Sequence, residues 1–276
     1  MVNPIVDKTV ADIQDFTKSA EKLKWGFYKK YPYSVSKIIS HLKKPFDKEE
    51  VARKTHDKHF ADSTSIYYQK SIEEILALWE EKAEKGRVNG KALDDFIGLI
   101  LDDHAPAEKL AEYISELPEV AQNKCNSYYN FYNSSIKDKL TFLCREQVLA
   151  HPDLKVNGRF DALFYFNNTI LLIDWKNTEK IESSNKYEKM LGPLYNYDAC
   201  DLNSYTMQVY IYEYILRNVY HLYNTNIVPL IVQVGEADVK TYQPIIEYSD
   251  ALVKSCIEYA INQIDEENKA GKSSNK

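Results

Sequence analysis

Two aspartates and a lysine, Asp161, Asp174 and Lys176, are spaced so that a simple fold would gather them. Residues 160–166 and 169–175 are rich in β-formers, and Asn167-Asn168 between them is a two-residue turn signal. The stretch reads as a β-hairpin with a tight turn. With the two asparagines as the loop, Phe166 faces Thr169 and Asp161 falls directly across from Asp174. Lys176 points to the same sheet face as Asp174, because strand side chains alternate with period 2. Directly opposed Cβ atoms stand about 4.5–5.5 Å apart, where like charges destabilise. A divalent cation between the acids turns that repulsion into attraction, as in oxygen-rich Mg²⁺ sites. The plainer account is an ion pair of Lys176 with one acid, which leaves the other acid over.

The hairpin is apolar on both faces apart from these charges. Alternation puts Leu163, Tyr165, Ile170 and Leu172 on the charged face, and Phe160, Ala162, Phe164, Leu171, Ile173 and Trp175 on the other. Strands of that kind are central and covered. Around them, residues 4–30 carry mixed helical spacing for one or two surface helices, and Ser34 or Ser36 can cap a helix running through His41. The stretch 71–83 is a strong amphipathic helix, 85–90 (LysGlyArgValAsnGly) a loop or bend, and 91–103 helical again. Residues 107–150 read as helical with interruptions near Pro118 and at 123–135. A long polar connection covers 179–203, followed by a helix to 220, a buried strand at 227–234 containing Pro229, and an amphipathic helix at 245–264. This order predicts a mixed α/β core with a helical N-terminal portion.

Composition sets the outer bounds. At 276 residues with 44 % apolar and 13 % aromatic content, the chain can build a substantial core. The net charge of −6 argues against a protein that coats nucleic acid over its whole surface, though a local basic cleft is compatible with it. No apolar run is long enough to span a bilayer, and the first residues lack a secretory pattern, so a cytoplasmic location is expected. The four cysteines (125, 144, 200 and 256) form no C-x-x-C pair, which disfavours a zinc or iron–sulfur site.

The spacing of Asp161 to Asp174-Trp175-Lys176 resembles the PD-(D/E)xK nuclease signature, and within it the RecB-type nucleases. The chain is most similar to the mitochondrial genome maintenance exonucleases and related phage exonucleases. Glu146, Val148, His151, Gly158 and Asp161 fall at that family's spacings before its first aspartate, and IleAspTrpLysAsnThrGluLys (173–180) follows its second motif. Gln208-Val-Tyr-Ile-Tyr212 is similar to its Q-x-x-x-Y motif, with both side chains on one helical face. The resemblance covers about a third of the chain. It departs at position 94: after Trp79 and Gly90 the family places a metal-binding histidine, and here stands Asp94. Aspartate is itself a ligand for hard cations; Asp95, His56 or His59 are other candidates for that place.

The resemblance implies a restriction-endonuclease-like fold, a mixed central sheet flanked by helices. It implies a helical portion over 1–135 packed on the core and contributing Asp94, a nuclease core over 136–265, and a disordered tail over 266–276. It implies Mg²⁺ or Mn²⁺ held by Asp161, Asp174 and the backbone carbonyl of Trp175, with Glu146 and Asp94 completing the site. Lys176 then acts in catalysis, while Gln208 and Tyr212 orient the strand. Arg159 and Lys180, with Arg145, Lys155, Lys186 and Lys189, would meet phosphates by charge. The implied activity is phosphodiester hydrolysis in single-stranded or end-containing DNA, as in recombination, repair or phage DNA processing, with other recombination or replication proteins as further partners and, if phage-encoded, in the host cytoplasm. RNA cleavage by the same metal core, or a catalytically silent fold that binds nucleic acid or protein, are the alternatives. The 22 tyrosines could offer stacking faces for bases, although most are expected to pack.

Overall fold

Both asparagines of the predicted turn adopt the left-handed conformation, with φ of 45° at Asn167 and 61° at Asn168, the geometry that lets a two-residue loop match strand twist. The computed structural model describes residues 2–273. In chain order its elements are α1 (Pro4–Leu23), α2 (Trp25–Lys30), β1 (Tyr33–Ser34), α3 (Val35–His41), α4 (Lys48–His59), α5 (Ile72–Leu101), α6 (Ala107–Ser115) and α7 (Glu119–Phe131). Then follow β2 (Thr141–His151), β3 (Val156–Phe166), β4 (Thr169–Lys176), α8 (Asp201–Asn218), β5 (Asn226–Val234), β6 (Val239–Tyr242) and α9 (Asp250–Ser273). The class is mixed α/β, as expected: a six-stranded mixed sheet, flanking helices and a helical N-terminal portion. Among the described residues no helix is long and apolar enough to cross a membrane.

The chain forms two compact units, one of residues 1–44 with 127–276 and the other of residues 45–126. The first three helices therefore belong with the sheet, rather than with one helical portion over 1–135. In the first unit the sheet runs β1-β3-β4-β5-β6, with β2 antiparallel along the opposite edge of β3. The β1 strand pairs with β3 only at Val156 and Asn157, and β4 pairs with it only from Ala162 to Phe166. Along that edge, β3 is left without a strand partner from residue 158 to 161. The β4–β5 pairing is parallel, so the chain must cross over the sheet between them, and α8 makes that crossing. Pro229 sits in β5 where β6, which covers only Ile231 to Val234, leaves the far edge open.

Helix α8 is buried almost all round, as its apolar composition demands. It packs on the sheet and against α3 and α9. Its Glu213 is 4 % exposed and paired with Arg217 at 2.6 Å. All four cysteines are buried and outside any disulfide.

Several sequence expectations are corrected. Residues 141–151 are a strand, β2, and not the end of a helical stretch. Two irregularities hide its period from the sequence: a register shift between Phe142 and Cys144, and a left-handed residue, Glu146, with φ of 52°. Residues 85–90 are no loop. The helix α5 runs unbroken through Gly86 and Gly90, opened by a capping box of Ser71 and Glu74 and laced by Lys85–Glu81, Arg87–Glu84 and Lys91–Asp95 ion pairs. Each glycine costs about 1 kcal/mol there, which a continuous 30-residue helix absorbs. The closing helix continues to Ser273, so 266–273 are helical rather than a disordered tail; residues 274–276 lie outside the described residues.

Candidate active site

The hairpin register is the predicted one from Phe166↔Thr169 to Ala162↔Ile173. It stops one pair short of the acids. At that point the Trp175 backbone N–H donates to Asp161 Oδ2 at 2.6 Å, so a carboxylate takes the place of a strand partner. On the other side of β3, Glu146 lies in the gap between the Arg145↔Ala162 and Gln147↔Phe160 pairs, level with Asp161. Glu146, Asp161 and Asp174 thus stand at one level on three adjacent strands. Strict alternation also breaks here: Phe160 joins Leu163 and Leu172 in one core cluster, where the sequence placed it on the opposite face. The left-handed turn at Glu146 lies beside this break, with no shift of register across it.

Asp174 is 1 % exposed and its Oδ1 is buried without a hydrogen-bond partner. Lys176 Nζ lies 2.6 Å from Oδ2. The same ammonium donates to Gln208 Oε1 at 3.0 Å and stands over the Tyr205 ring, 4.4 Å from its centroid. Gln208 Nε2 in turn donates to the Tyr212 hydroxyl at 3.5 Å. A relay of contacts therefore runs Tyr212–Gln208–Lys176–Asp174 from α8 to β4. Gly158 belongs to its support, because a Cβ there would sit 2.7 Å from both Tyr212 Cε1 and Val35 Cγ2.

Electrostatics follow from this crowding. Burial pushes the Asp161 carboxyl well up, and the charge on Asp174 adds to it, with Lys176 and the Trp175 N–H opposing. Burial also raises Asp174, against the pull of Lys176. Burial alone would lower Lys176, but the charges of Asp174 and Asp161 outweigh it, and the ammonium is held above its ordinary value. The Tyr212 hydroxyl is driven up by burial, then by Asp174, Asp161 and Glu146, so it lies in the field of all three acids.

The remaining predicted residues are distributed differently. Arg159 Nη1 is 3.6 Å from Glu146 Oε2, and its Nη2 is 3.9 Å from Glu21 Oε1. Lys180 is 73 % exposed and paired with Glu182 at 2.8 Å, outside the relay. Asp94 is half-buried on α5, in the unit of residues 45–126, next to the Lys91–Asp95 pair. His56 and His59 belong to that unit too, beside Asp57 and Asp62. The sequence did not single out Tyr205; its place three residues before Gln208, on the same helical face, was the available signal. Among the described residues, no three His, Cys, Asp or Glu side chains converge closely enough to hold a metal by themselves. What the structure does offer a cation is a pair of acids and one orphaned buried oxygen, Asp174 Oδ1.

No protein-family model and no curated protein matches this chain. Among solved structures the chain is similar to a crystal structure from Eubacterium rectale named "Putative exonuclease". The TM-score is 0.42 at 11 % identity, over 87 % of this chain and 80 % of that one. The functional reading therefore rests on the geometry above.

Proposed function

We propose that this protein is a metal-dependent nuclease of the PD-(D/E)xK, RecB type that hydrolyses phosphodiester bonds in DNA, acting as an exonuclease on single strands or free ends. One observation carries the reading. Asp161, Asp174 and Lys176 meet at the end of the hairpin, and Lys176 is locked there by Gln208. A structural ion pair needs one acid and one base, and leaves the second acid and the orphaned Asp174 Oδ1 without a purpose.

The donor set fits Mg²⁺ or Mn²⁺. Such hard ions keep several waters and need only one or two protein carboxylates, the rest of the shell coming from substrate phosphate. Asp161 and Asp174 would hold the ion, with the Trp175 carbonyl, and Glu146 would shape the site from β2. When bound, the ion supplies Lewis acidity at the phosphoryl oxygen and acidifies a water. Lys176, charged at neutral pH, donates to the attacking water or to the phosphate and stabilises the negative charge that develops there; it is no general base. Gln208 fixes the direction of that donor. Tyr212, protonated at any working pH, can give its hydroxyl hydrogen to a phosphate oxygen of the bound strand.

The test is incubation of purified protein with end-labelled single-stranded, duplex and circular DNA, and with RNA, in Mn²⁺ and in chelator. Cleavage of linear but not circular DNA, lost in chelator and in Asp174→Ala, is the expected outcome. Absence of cleavage on every substrate with metal present would refute the assignment.

A further inference from the structure

Beside the acids lies a concavity that the proposed chemistry does not use. A cleft of ≈ 390 Å³ opens between α1–α2 and the β2–β3 strands. Phe27 and Val148 form its floor, Trp25 and Tyr28 its wall, and Lys24, Arg159 and one acid, Glu21, its charged rim. Trp25 is 81 % exposed and Tyr28 57 %. Two large rings left in water at the mouth of a cleft are unfavourable surface, and such a patch rimmed by charge marks a binding site.

We propose that this cleft takes an unpaired nucleotide of a single-stranded nucleic acid, its base stacked on Trp25 or Tyr28 and its phosphate met by Arg159 and Lys24. The inference rests on the nuclease reading for its direction, since it extends the acid site along the same strand. Several observations favour this occupant. Tyr28 is braced edge-on against Phe27, ring centroids 5.5 Å apart, so it is a rigid stacking face. Arg159 reaches Glu21 and Glu146 only at 3.9 and 3.6 Å, beyond hydrogen-bond length, which leaves its guanidinium donors for a phosphate. Lys22, Lys29 and Lys30 stand in the last turns of α1 and α2, outside the lining of the cleft itself. Arg159 also contacts Glu146, which lies level with Asp161, so the cleft and the acids are neighbours along β3. A paired base hides its faces in the duplex stack, hence the preference for a single strand.

The experiment is equilibrium binding of a fluorescein-labelled oligo-dT, 12-mer by design at about one base per stacking platform plus flanks, to the full chain in chelator, followed by anisotropy and by tryptophan emission. The expected result is quenching of tryptophan emission on binding. Trp25→Ala should weaken binding about five- to a hundredfold, matching the known range for one stacked base. Trp25→Phe should keep the affinity within about threefold while losing the quench, and duplex of the same length should bind more weakly. Tyr28→Ala is the second variant. Both Ala variants binding within twofold of the wild type would overturn the proposal. So would a change in sedimentation on Trp25→Ala with DNA binding intact, which would assign the face to a second copy of the chain. Cleavage that persists with binding insensitive to Trp25 and Tyr28 would sink the cleft and leave the nuclease reading standing; Trp25-dependent binding without cleavage in Mn²⁺ would do the reverse.

Discussion

The acid rim and the aromatic cleft share one strand, with Asp161 and Arg159 two residues apart, and they hold opposite kinds of unfavourable surface. At the rim, charge is taken out of water: Asp174 is almost fully buried and keeps an oxygen with no partner. In the cleft, aromatic area is left in water. The rim is imposed by backbone, since register and the break in pairing at residue 161 fix where the carboxylates stand. The cleft is made where side chains of the short helix α2 face α1 and the β2–β3 strands, so its character follows from which side chains stand there. Changes at the rim should therefore destroy chemistry, and changes in the cleft should alter affinity alone.

The largest expected effect breaks the comparison on the rim side. Asp174→Ala should lower metal-dependent cleavage by at least about a thousandfold, as removal of central catalytic groups does, with oligo-dT binding in chelator unchanged. Single-turnover rates and anisotropy measure the two arms. Next comes Lys176→Ala, which should cost about a hundred- to a thousandfold in turnover while Mn²⁺ still binds by calorimetry; loss of metal uptake would mean that the lysine organises the acids instead. The same change leaves Asp174 buried and unpaired, so the folded state should lose roughly 3–5 kcal/mol in urea titration. Gly158→Ala touches both regions, since Gly158 lines the cleft and the new methyl meets Tyr212 and Val35. It should cost about 1–3 kcal/mol by overpacking and reduce cleavage more than binding. A neutral result would show that α8 can shift.

The smallest effect is a matter of pH and lies away from both regions. Burial depresses His151, which stacks on Tyr214 with ring centroids 5.6 Å apart. The unfolded chain then binds a proton below its ordinary value of 6.5 that the folded chain resists, so stability should fall as pH drops through 6.5. His151→Gln should flatten the thermal-unfolding curve between pH 5 and 7. An unchanged slope would assign that limb to other groups.

The hairpin could be read from sequence because its signal is local: asparagines that tolerate positive φ, and uninterrupted β-formers on either side. The shared face of Gln208 and Tyr212 was also accessible, through helical spacing on α8, but the bond from Lys176 to Gln208 appears only once the helix is packed on the sheet. The strand β2 was not, because a shifted register and the left-handed Glu146 erase the two-residue period over which a strand is recognised. The continuity of α5 was missed for the opposite reason. Two glycines within five residues are a strong local breaker, but the rest of a long helix outweighs them. The cleft had no signature at all. Trp25 and Tyr28 meet Val148 and Arg159 only through tertiary packing, and exposure is invisible until the fold exists.

The sulfur atoms give the molecule a built-in reporter. Burial drives the thiols of Cys125 and Cys256 up to about 12 and raises Cys200 as well, so an alkylating reagent has little thiolate to attack while the chain stays closed. Cys125 lies in the helical unit, whereas Cys144, Cys200 and Cys256 lie in the sheet-bearing one. Peptide-resolved rates of modification would consequently time the opening of each half of the protein separately, without any introduced label.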